Sequence, residues 1–155
     1  MTPANEGIVM RAKGHMTGML GVYLTAAELS KLGFIVSPTS RSAFGADLLV
    51  TDQQCRKAWS VQVKTNRKTA AFWLVNSHTG DSYSESHVYV FVNLKGDSRP
   101  DYFVVPSVFV ARIHRVDPAK TGSVWYSVHQ KDMRDYAEGW TKVFGDASPT
   151  EVIPL

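Results

Sequence analysis

Two short β-type segments on either side of a polar connection constrain this fold more than any other feature of the sequence. The first, DLLVT, spans residues 47–51, and the second, WSVQVK, spans residues 59–64. In the second segment apolar and polar side chains alternate: Trp59, Val61 and Val63 against Ser60, Gln62 and Lys64. A period of two is typical of a strand with one buried face. The short turn DQQCRK between the segments favours an antiparallel hairpin, so we expect Gln62 and Lys64 to share the face opposite the valines.

The rest of the chain predicts a leading helix, a run of strands and later helices. Residues 15–33 have apolar side chains at helical spacing and end at a glycine suited to a C-cap. Four further strands are predicted, namely FIVSP, FWLVN, HVYVFVNL and YFVVP. Helices are expected over 107–116 and 131–145, with SVWYSV between them as an edge strand. Helices combined with a run of strands predict a sheet covered by helices, α/β or α+β in class.

Length and composition bound the organisation. A chain of 155 residues fits one domain, 1–155, with 1–13 and 147–155 expected to be loose ends. The apolar stretch Met16–Leu29 is too short and too polar for a membrane span and precedes no small-residue cleavage site. Cys55 is the only cysteine, which excludes a disulfide framework. We therefore expect a cytoplasmic protein that does not enter the membrane.

The basic charge is concentrated in the first half of the sequence. Residues 1–80 contain nine Lys or Arg and four Asp or Glu, a net +5, whereas residues 81–155 contain eight and ten, a net −2. Clustered cations gain affinity for phosphates by releasing counterions. The basic half therefore suits DNA as a partner, although an ordinary solvated surface explains the charge equally well.

The hairpin assembles groups that suit metal-dependent phosphodiester cleavage. Asp47 begins the first strand, and Gln62 and Lys64 follow it by 15 and 17 residues. The Asp47 carboxylate, the Gln62 amide oxygen and the Val63 backbone carbonyl are hard oxygen ligands of the kind that Mg²⁺ accepts. A lysine beside such an ion can orient or deprotonate a water and offset the charge of the transition state.

On these residues, GADLLV followed by VQVKT, the chain resembles the PD-(D/E)xK nuclease superfamily, which includes restriction endonucleases and Holliday-junction resolvases. The resemblance extends over about residues 14–115, from the leading helix to YVFVNL and YFVVPS. It implies a restriction-endonuclease-like α/β/α core, with a mixed sheet of about five or six strands flanked by helices. It also implies a DNA endonuclease dependent on Mg²⁺ or Mn²⁺, for which branched or structured DNA is a candidate substrate. Because nucleases of this lineage are often dimers, a homodimer is a candidate assembly.

By this resemblance Asp47 is the principal metal ligand, Gln62 occupies the usual Glu or Asp position and Lys64 is the motif lysine. Two departures follow. Gln62 removes one negative charge from the metal site, and Gly21–Val22 stands where resolvase-like members have a Gly-Glu pair in the helix. Glu28, about two turns further along, cannot simply substitute for that carboxylate, and an approach to the site from another angle is left open for it. The alternative is a catalytically degenerate nuclease fold that binds DNA or acts as a protein-binding or inhibitor module.

Basic and hydroxyl side chains near the hairpin are candidates for holding a phosphate backbone. They are Lys13, Arg41, Ser42, Arg67 and Lys68. Each is equally well explained as a solvated loop residue. Four aromatic residues lie nearby in sequence, Phe44, Trp59, Phe72 and Trp73, for which core packing is favoured over stacking on unpaired bases. No zinc-ligand spacing, phosphate-binding loop or serine-hydrolase motif is present in the sequence.

Overall fold

The computed structural model describes the backbone of residues 3–40 and 44–148 and the side chains from residue 13 onward within those ranges. These residues form three helices, eight strands and two single 3₁₀ turns. In chain order they are α1 Pro3–Lys31, β1 Ile35–Pro38, β2 Leu48–Thr51, β3 Ala58–Asn66, β4 Phe72–Val75, β5 His87–Lys95, β6 Ser98–Pro106, α2 Ser107–Ile113, β7 Arg115–Pro118, β8 Val124–His129, 3₁₀ turns Gln130–Asp132 and Arg134–Tyr136, and α3 Trp140–Phe144.

The main sheet has five strands in the order β1-β2-β3-β5-β6. Its neighbours run antiparallel except for β3 and β5, which are parallel, so the sheet is mixed. The expected hairpin is formed by β2 and β3, with Leu48 opposite Val61. A mixed sheet of five strands with helices on both faces confirms the predicted α/β class.

Each face of the main sheet carries its own hydrophobic core. On one face, Val61 and Val63 of β3 pack with Val22 and Leu29 of α1 and with Trp140 of α3. A second core on the other face covers only β5 and β6; it contains Tyr89, Phe91, Phe103, Val110, Trp73 and Val128. The second face of β2 and β3 therefore lies outside both cores, as the 53 % exposure of Leu49 illustrates.

A second sheet of three antiparallel strands, in the order β4-β8-β7, supplies part of the second core. Its inner side buries Trp73 and Val128 against β5 and β6. The expectation that SVWYSV is an edge strand is wrong, because β8 lies between β4 and β7. The helix expected over 107–116 ends at Ile113, and its last two residues, Arg115 and Val116, belong to β7 instead.

Helix α1 is longer than the sequence predicted. It begins at Pro3 rather than near residue 15, so the backbone of residues 3–13 is helical; proline is well tolerated in the first turn of a helix. A Cβ at Gly21 would overlap Thr65 Oγ1 of β3, which shows how closely helix and strand approach. Among the described helices, none is both long and apolar enough to cross a membrane.

The end of the described chain is packed rather than loose at residue 147. Ala147 is buried in the first core, and its carbonyl accepts a hydrogen bond from the Gln53 N–H at 3.1 Å. The expectation for residues 149–155 lies outside the described residues. In place of a final helix over 131–145, two 3₁₀ turns precede the short α3.

An asparagine cluster joins the ends of β3 and β5 on the second face. Asn66 Nδ2 donates to Asn93 Oδ1 at 3.0 Å and to the Phe72 carbonyl at 2.9 Å. Asn93, fully buried, donates to the Ala70 carbonyl at 2.9 Å and accepts from the Ala70 N–H at 3.3 Å. The cluster fixes the connection from β3 to β4, and with it the position of the second sheet.

Candidate functional site

Asp47 and Gln62 meet at the beginning of β2. Leu48 pairs with Val61 in the antiparallel register, so Asp47, directly before β2, falls opposite Gln62 of β3. Asp47 Oδ2 accepts two hydrogen bonds of 2.7 Å, one from Gln62 Nε2 and one from the Val63 N–H. The carboxylate is thus held against β3 by a side chain and by the backbone. The other carboxylate oxygen, Oδ1, accepts no hydrogen bond from a described residue.

Lys64 lies on the same face of β3 as Gln62. Val61 and Val63 are 0 % and 8 % exposed on the α1 side, and the alternation of the strand places Gln62 and Lys64, both half-buried, on the opposite side. Within the described part of the chain, the Lys64 ammonium makes no hydrogen bond. We call Asp47, Gln62, Val63 and Lys64 the Asp47 site.

Burial shifts both charged groups of the site toward their neutral forms. Burial raises the pKa of the Asp47 carboxyl, opposed by the Val63 hydrogen bond and by the Lys64 charge, which lower it. Burial also lowers the pKa of the Lys64 ammonium, and the Asp47 charge only partly offsets this. The site therefore holds a carboxylate and an amine that are each less ionised than on an exposed surface.

Two polar groups that the sequence reasoning missed lie beside the site on β5. In the parallel register, His87 is opposite Ser60 and Tyr89 is opposite Gln62. Ser60 Oγ and His87 Nδ1 are 2.7 Å apart, and burial lowers the pKa of His87. Burial also raises the pKa of Tyr89. Sequence alternation could not find them, because it says nothing about which strand lies beside β3.

Of the predicted DNA-binding residues, the structure brings Lys13 and Arg67 together. Both line a cavity of about 310 Å³ at the carboxyl end of β3, with Thr17 of α1 and with Thr65 and Asn66. Lys68 is exposed on the connection to β4. The candidates Arg41 and Ser42 lie outside the described residues.

The four aromatic residues divide between core and surface. Trp59 packs against the first core and Trp73 is buried in the second, as expected. Phe44, however, is 79 % exposed with its ring against His78, and Phe72 is 42 % exposed. Core packing therefore accounts for only two of the four.

Carboxylates are scarce around the Asp47 site. Val22 is buried in the first core, and Glu28 is bound by Lys31 and Arg99 at 3.0 Å each. The suggestion that Glu28 reaches the Asp47 site is therefore wrong. Among the described side chains, no group of three His, Cys, Asp or Glu could hold a metal ion. Any divalent ion would depend on uncharged oxygens in addition to Asp47.

The donor set still fits a hard cation. Asp47 Oδ1 accepts no hydrogen bond from a described residue, and the Gln62 amide, whose nitrogen donates to Asp47 Oδ2, also carries the oxygen Oε1. The N–H and C=O of a strand residue point to the same neighbour. Because the Val63 N–H points to Asp47, its carbonyl faces the same edge. These three oxygens are of the type that Mg²⁺ and Mn²⁺ prefer.

Comparisons with known proteins give few matches. No family model matches the sequence, and no curated protein matches it. Among solved structures, the chain is similar to Hjc, a Holliday junction resolvase from the archaeal hyperthermophile Archaeoglobus fulgidus, with a TM-score of 0.41 and 9 % identity. The similarity covers 70 % of this chain and 87 % of that one. A similarity of this extent carries no information about chemistry.

Proposed function

We propose that this chain is a PD-(D/E)xK-type DNA endonuclease that depends on Mg²⁺ or Mn²⁺. One observation carries the proposal: Asp47, Gln62 and Lys64 share the face of the β2–β3 hairpin that belongs to neither core of the described residues, with the carboxylate held at 2.7 Å by the Gln62 amide and the Val63 N–H. A carboxylate, an amide and an amine on one face of a sheet suit the hydrolysis of a phosphodiester. DNA with branched or otherwise structured segments is the proposed substrate.

The metal would be held by Asp47, by Gln62 through Oε1 and by the Val63 carbonyl. When bound, such an ion polarises the phosphate and lowers the pKa of an attacking water. The Val63 N–H keeps the Asp47 carboxylate in a fixed orientation at 2.7 Å, so Asp47 itself needs little reorganisation when a substrate arrives. In the present geometry Gln62 offers Asp47 its nitrogen, so the amide must turn to offer its oxygen.

Lys64 supplies the proton chemistry in this proposal. Because burial lowers the pKa of its ammonium, a larger fraction of Lys64 is neutral near physiological pH than for an exposed lysine. The neutral amine accepts a proton as water attacks phosphorus and the P–O bond to the leaving strand breaks, and the leaving oxygen takes up a proton from solvent. The resulting ammonium then lies next to the negative charge of the product phosphate.

Lys13 and Arg67 are proposed to hold the DNA backbone next to the cleaved phosphate. Both line the cavity at the end of β3 that carries Lys64, and cations there would neutralise phosphates without reading sequence. Lys68, with Arg41 and Ser42, extends this proposed contact.

The test is cleavage of linear, branched and single-stranded DNA with and without Mg²⁺ or Mn²⁺. Asp47→Ala and Lys64→Ala should each abolish metal-dependent cleavage while the circular dichroism spectrum stays native. Matched controls are Asp101→Ala and Lys95→Ala, which remove the same groups from an exposed ion pair of 3.0 Å on the β5–β6 hairpin. Cleavage at the wild-type rate in both site variants would refute the assignment.

A second candidate function is favoured by the hydrogen bond from Gln62 to Asp47. That amide satisfies the carboxylate without a metal, and no second carboxylate from the described residues joins it. A protein that keeps the fold but binds DNA, or another protein, without cleavage fits this observation. Calorimetry with Mn²⁺ separates the two: metal binding by Gln62→Glu but not by the wild type, with DNA affinity retained in EDTA, would favour the non-catalytic function.

A further inference from the structure

The second sheet turns an aromatic surface to solvent. Alternation along β4 and β8 buries Trp73 and Val128 and leaves the intervening side chains outside. We call the outer residues Phe72, Leu74, Trp125 and His129 the aromatic patch. Phe72, Leu74 and Trp125 are 42 %, 49 % and 49 % exposed. Large apolar side chains grouped at the surface mark an interaction site more often than chance.

The aromatic patch has a shape suited to flat ligands. Phe72 and His129 are directly opposite each other in the β4–β8 register, and their rings stack with centroids 5.7 Å apart and planes inclined by 28°. With Trp125 they line a cavity of about 470 Å³, which Asp117 and Lys120 also border. This volume is in the usual range for small-ligand pockets.

The aromatic patch is connected to the Asp47 site. Asn66 follows Lys64 by two residues on the same face of β3, about 7 Å further along the strand. Its side-chain nitrogen donates to the Phe72 carbonyl at 2.9 Å, which fixes β4 beside the end of β3. Arg67 and Lys68, both exposed, lie on the connection between the two strands. Along the chain, the amine of the site is thus followed by two cations and then by aromatic rings.

We infer that the aromatic patch binds unpaired bases of the DNA strand that passes the Asp47 site. This inference rests on the proposed function, since it extends the same DNA strand from the cleaved phosphate. The substrate class is then DNA with a single-stranded segment beside the cleavage point. Arg67 and Lys68 contact the phosphates between the two places, and the bases stack on Phe72 and Trp125.

Stacking and charge together favour a nucleobase over an apolar peptide. A cationic track followed by aromatic rings is the arrangement with which proteins bind single strands. At the cavity, the Lys120 ammonium suits a phosphate, and the Asp117 carboxylate can accept from N–H groups on a base edge. A duplex hides these base edges and faces, so the aromatic patch would discriminate against it.

The test measures binding in EDTA, so that no cleavage is involved. Fluorescence anisotropy compares a labelled 15-nucleotide oligo-dT with a duplex of the same length. Trp125→Ala and Phe72→Ala should each bind the single strand about tenfold more weakly, with duplex affinity changed less than about twofold. Trp125→Phe, which keeps a ring, should retain most of the affinity, whereas Trp125→Leu should not.

The matched control is Tyr23→Ala, which removes a 58 % exposed aromatic ring from α1 on the opposite side of the main sheet. It should leave both affinities unchanged. The inference is overturned if neither patch variant weakens single-strand binding, if duplex binding falls equally, or if Trp125→Leu binds like the wild type, as a protein-docking surface would predict. Failure of the wild type to cleave DNA would refute the nuclease proposal but not this binding result.

Discussion

Two polar clusters lie on the same face of β3, and they differ in how fully their hydrogen-bonding groups are satisfied. In the asparagine cluster, Asn93 pairs both its nitrogen and its oxygen with Ala70 and Asn66, at 2.9–3.3 Å. In the Asp47 site, the Lys64 ammonium makes no hydrogen bond to any described residue, and both described donors to the Asp47 carboxylate bind the same oxygen, Oδ2.

This difference in hydrogen-bond pairing indicates that the asparagine cluster has a structural role and the Asp47 site a functional one, although both lie on β3. Buried polar groups that are fully paired contribute to stability, because removing one leaves its partners without a bond. Groups that are desolvated but unpaired cost stability, and they remain available to a ligand. The asparagine cluster should therefore respond to mutation in stability, and the Asp47 site in activity.

Among the variants considered, Asp47→Asn should cause the largest effect, a loss of DNA cleavage. This change keeps the shape of the side chain and removes its charge, so DNA cleavage should fall at least about a thousandfold, or ~4 kcal/mol. The free energy of unfolding should change by less than about 1 kcal/mol. Single-turnover cleavage and urea denaturation measure the two. A large loss of stability would make Asp47 a structural residue like Asn93.

Asn93→Ala should have the opposite effect. It leaves the part-buried Ala70 N–H and carbonyl unpaired, so the free energy of unfolding should fall by about 2–3 kcal/mol. Urea denaturation followed by tryptophan fluorescence measures this. Cleavage per folded molecule should match the wild type below the unfolding transition; a specific loss of cleavage would end the distinction between the two clusters.

Gln62→Glu tests how the charge of the Asp47 site affects metal binding, because it adds a second carboxylate there. A second carboxylate beside Asp47 strengthens attraction for a divalent cation, so Mn²⁺ affinity should rise about tenfold, or ~1.4 kcal/mol. Titration calorimetry measures the affinity. Without metal, the two carboxylates repel each other, and stability should fall slightly. Equal Mn²⁺ affinity in both proteins would indicate that the ion does not contact residue 62.

The smallest expected effect is the pH dependence of stability contributed by Asp47. Because its pKa is raised in the folded state, the folded protein binds this proton more tightly than the unfolded chain. The contribution is present below the unfolded pKa of about 3.9 and is lost as pH rises through the folded pKa. Asn at position 47 does not titrate.

The stability of Asp47→Asn relative to the wild type should therefore increase between about pH 4 and 7, by less than about 1 kcal/mol. Urea denaturation at several pH values measures the difference, in which other titrating groups largely cancel. A relative stability that decreases over the same range would mean that Lys64 and the Val63 N–H outweigh burial.

The sequence correctly predicted features that depend on residues close together in the chain. The alternation of WSVQVK predicted which side chains of β3 share a face, because the period of two is local. The place of β8 between β4 and β7 was missed, since RVDP is too short to reveal a strand. His87 and Tyr89 were missed because the parallel pairing of β3 with β5 joins distant segments.

The close approach at Gly21 has a consequence for the basic side chains. There is no room for a side chain at that position, so the helix lies directly against Thr65 there. Lys13, eight residues earlier and about 12 Å along the helix axis, lines the same cavity as Arg67. One residue inserted between Lys13 and Gly21 would swing the lysine about 100° around the helix and pull the pair of cations apart. The absence of a side chain at Gly21 therefore helps to set the position of a lysine about two helical turns away.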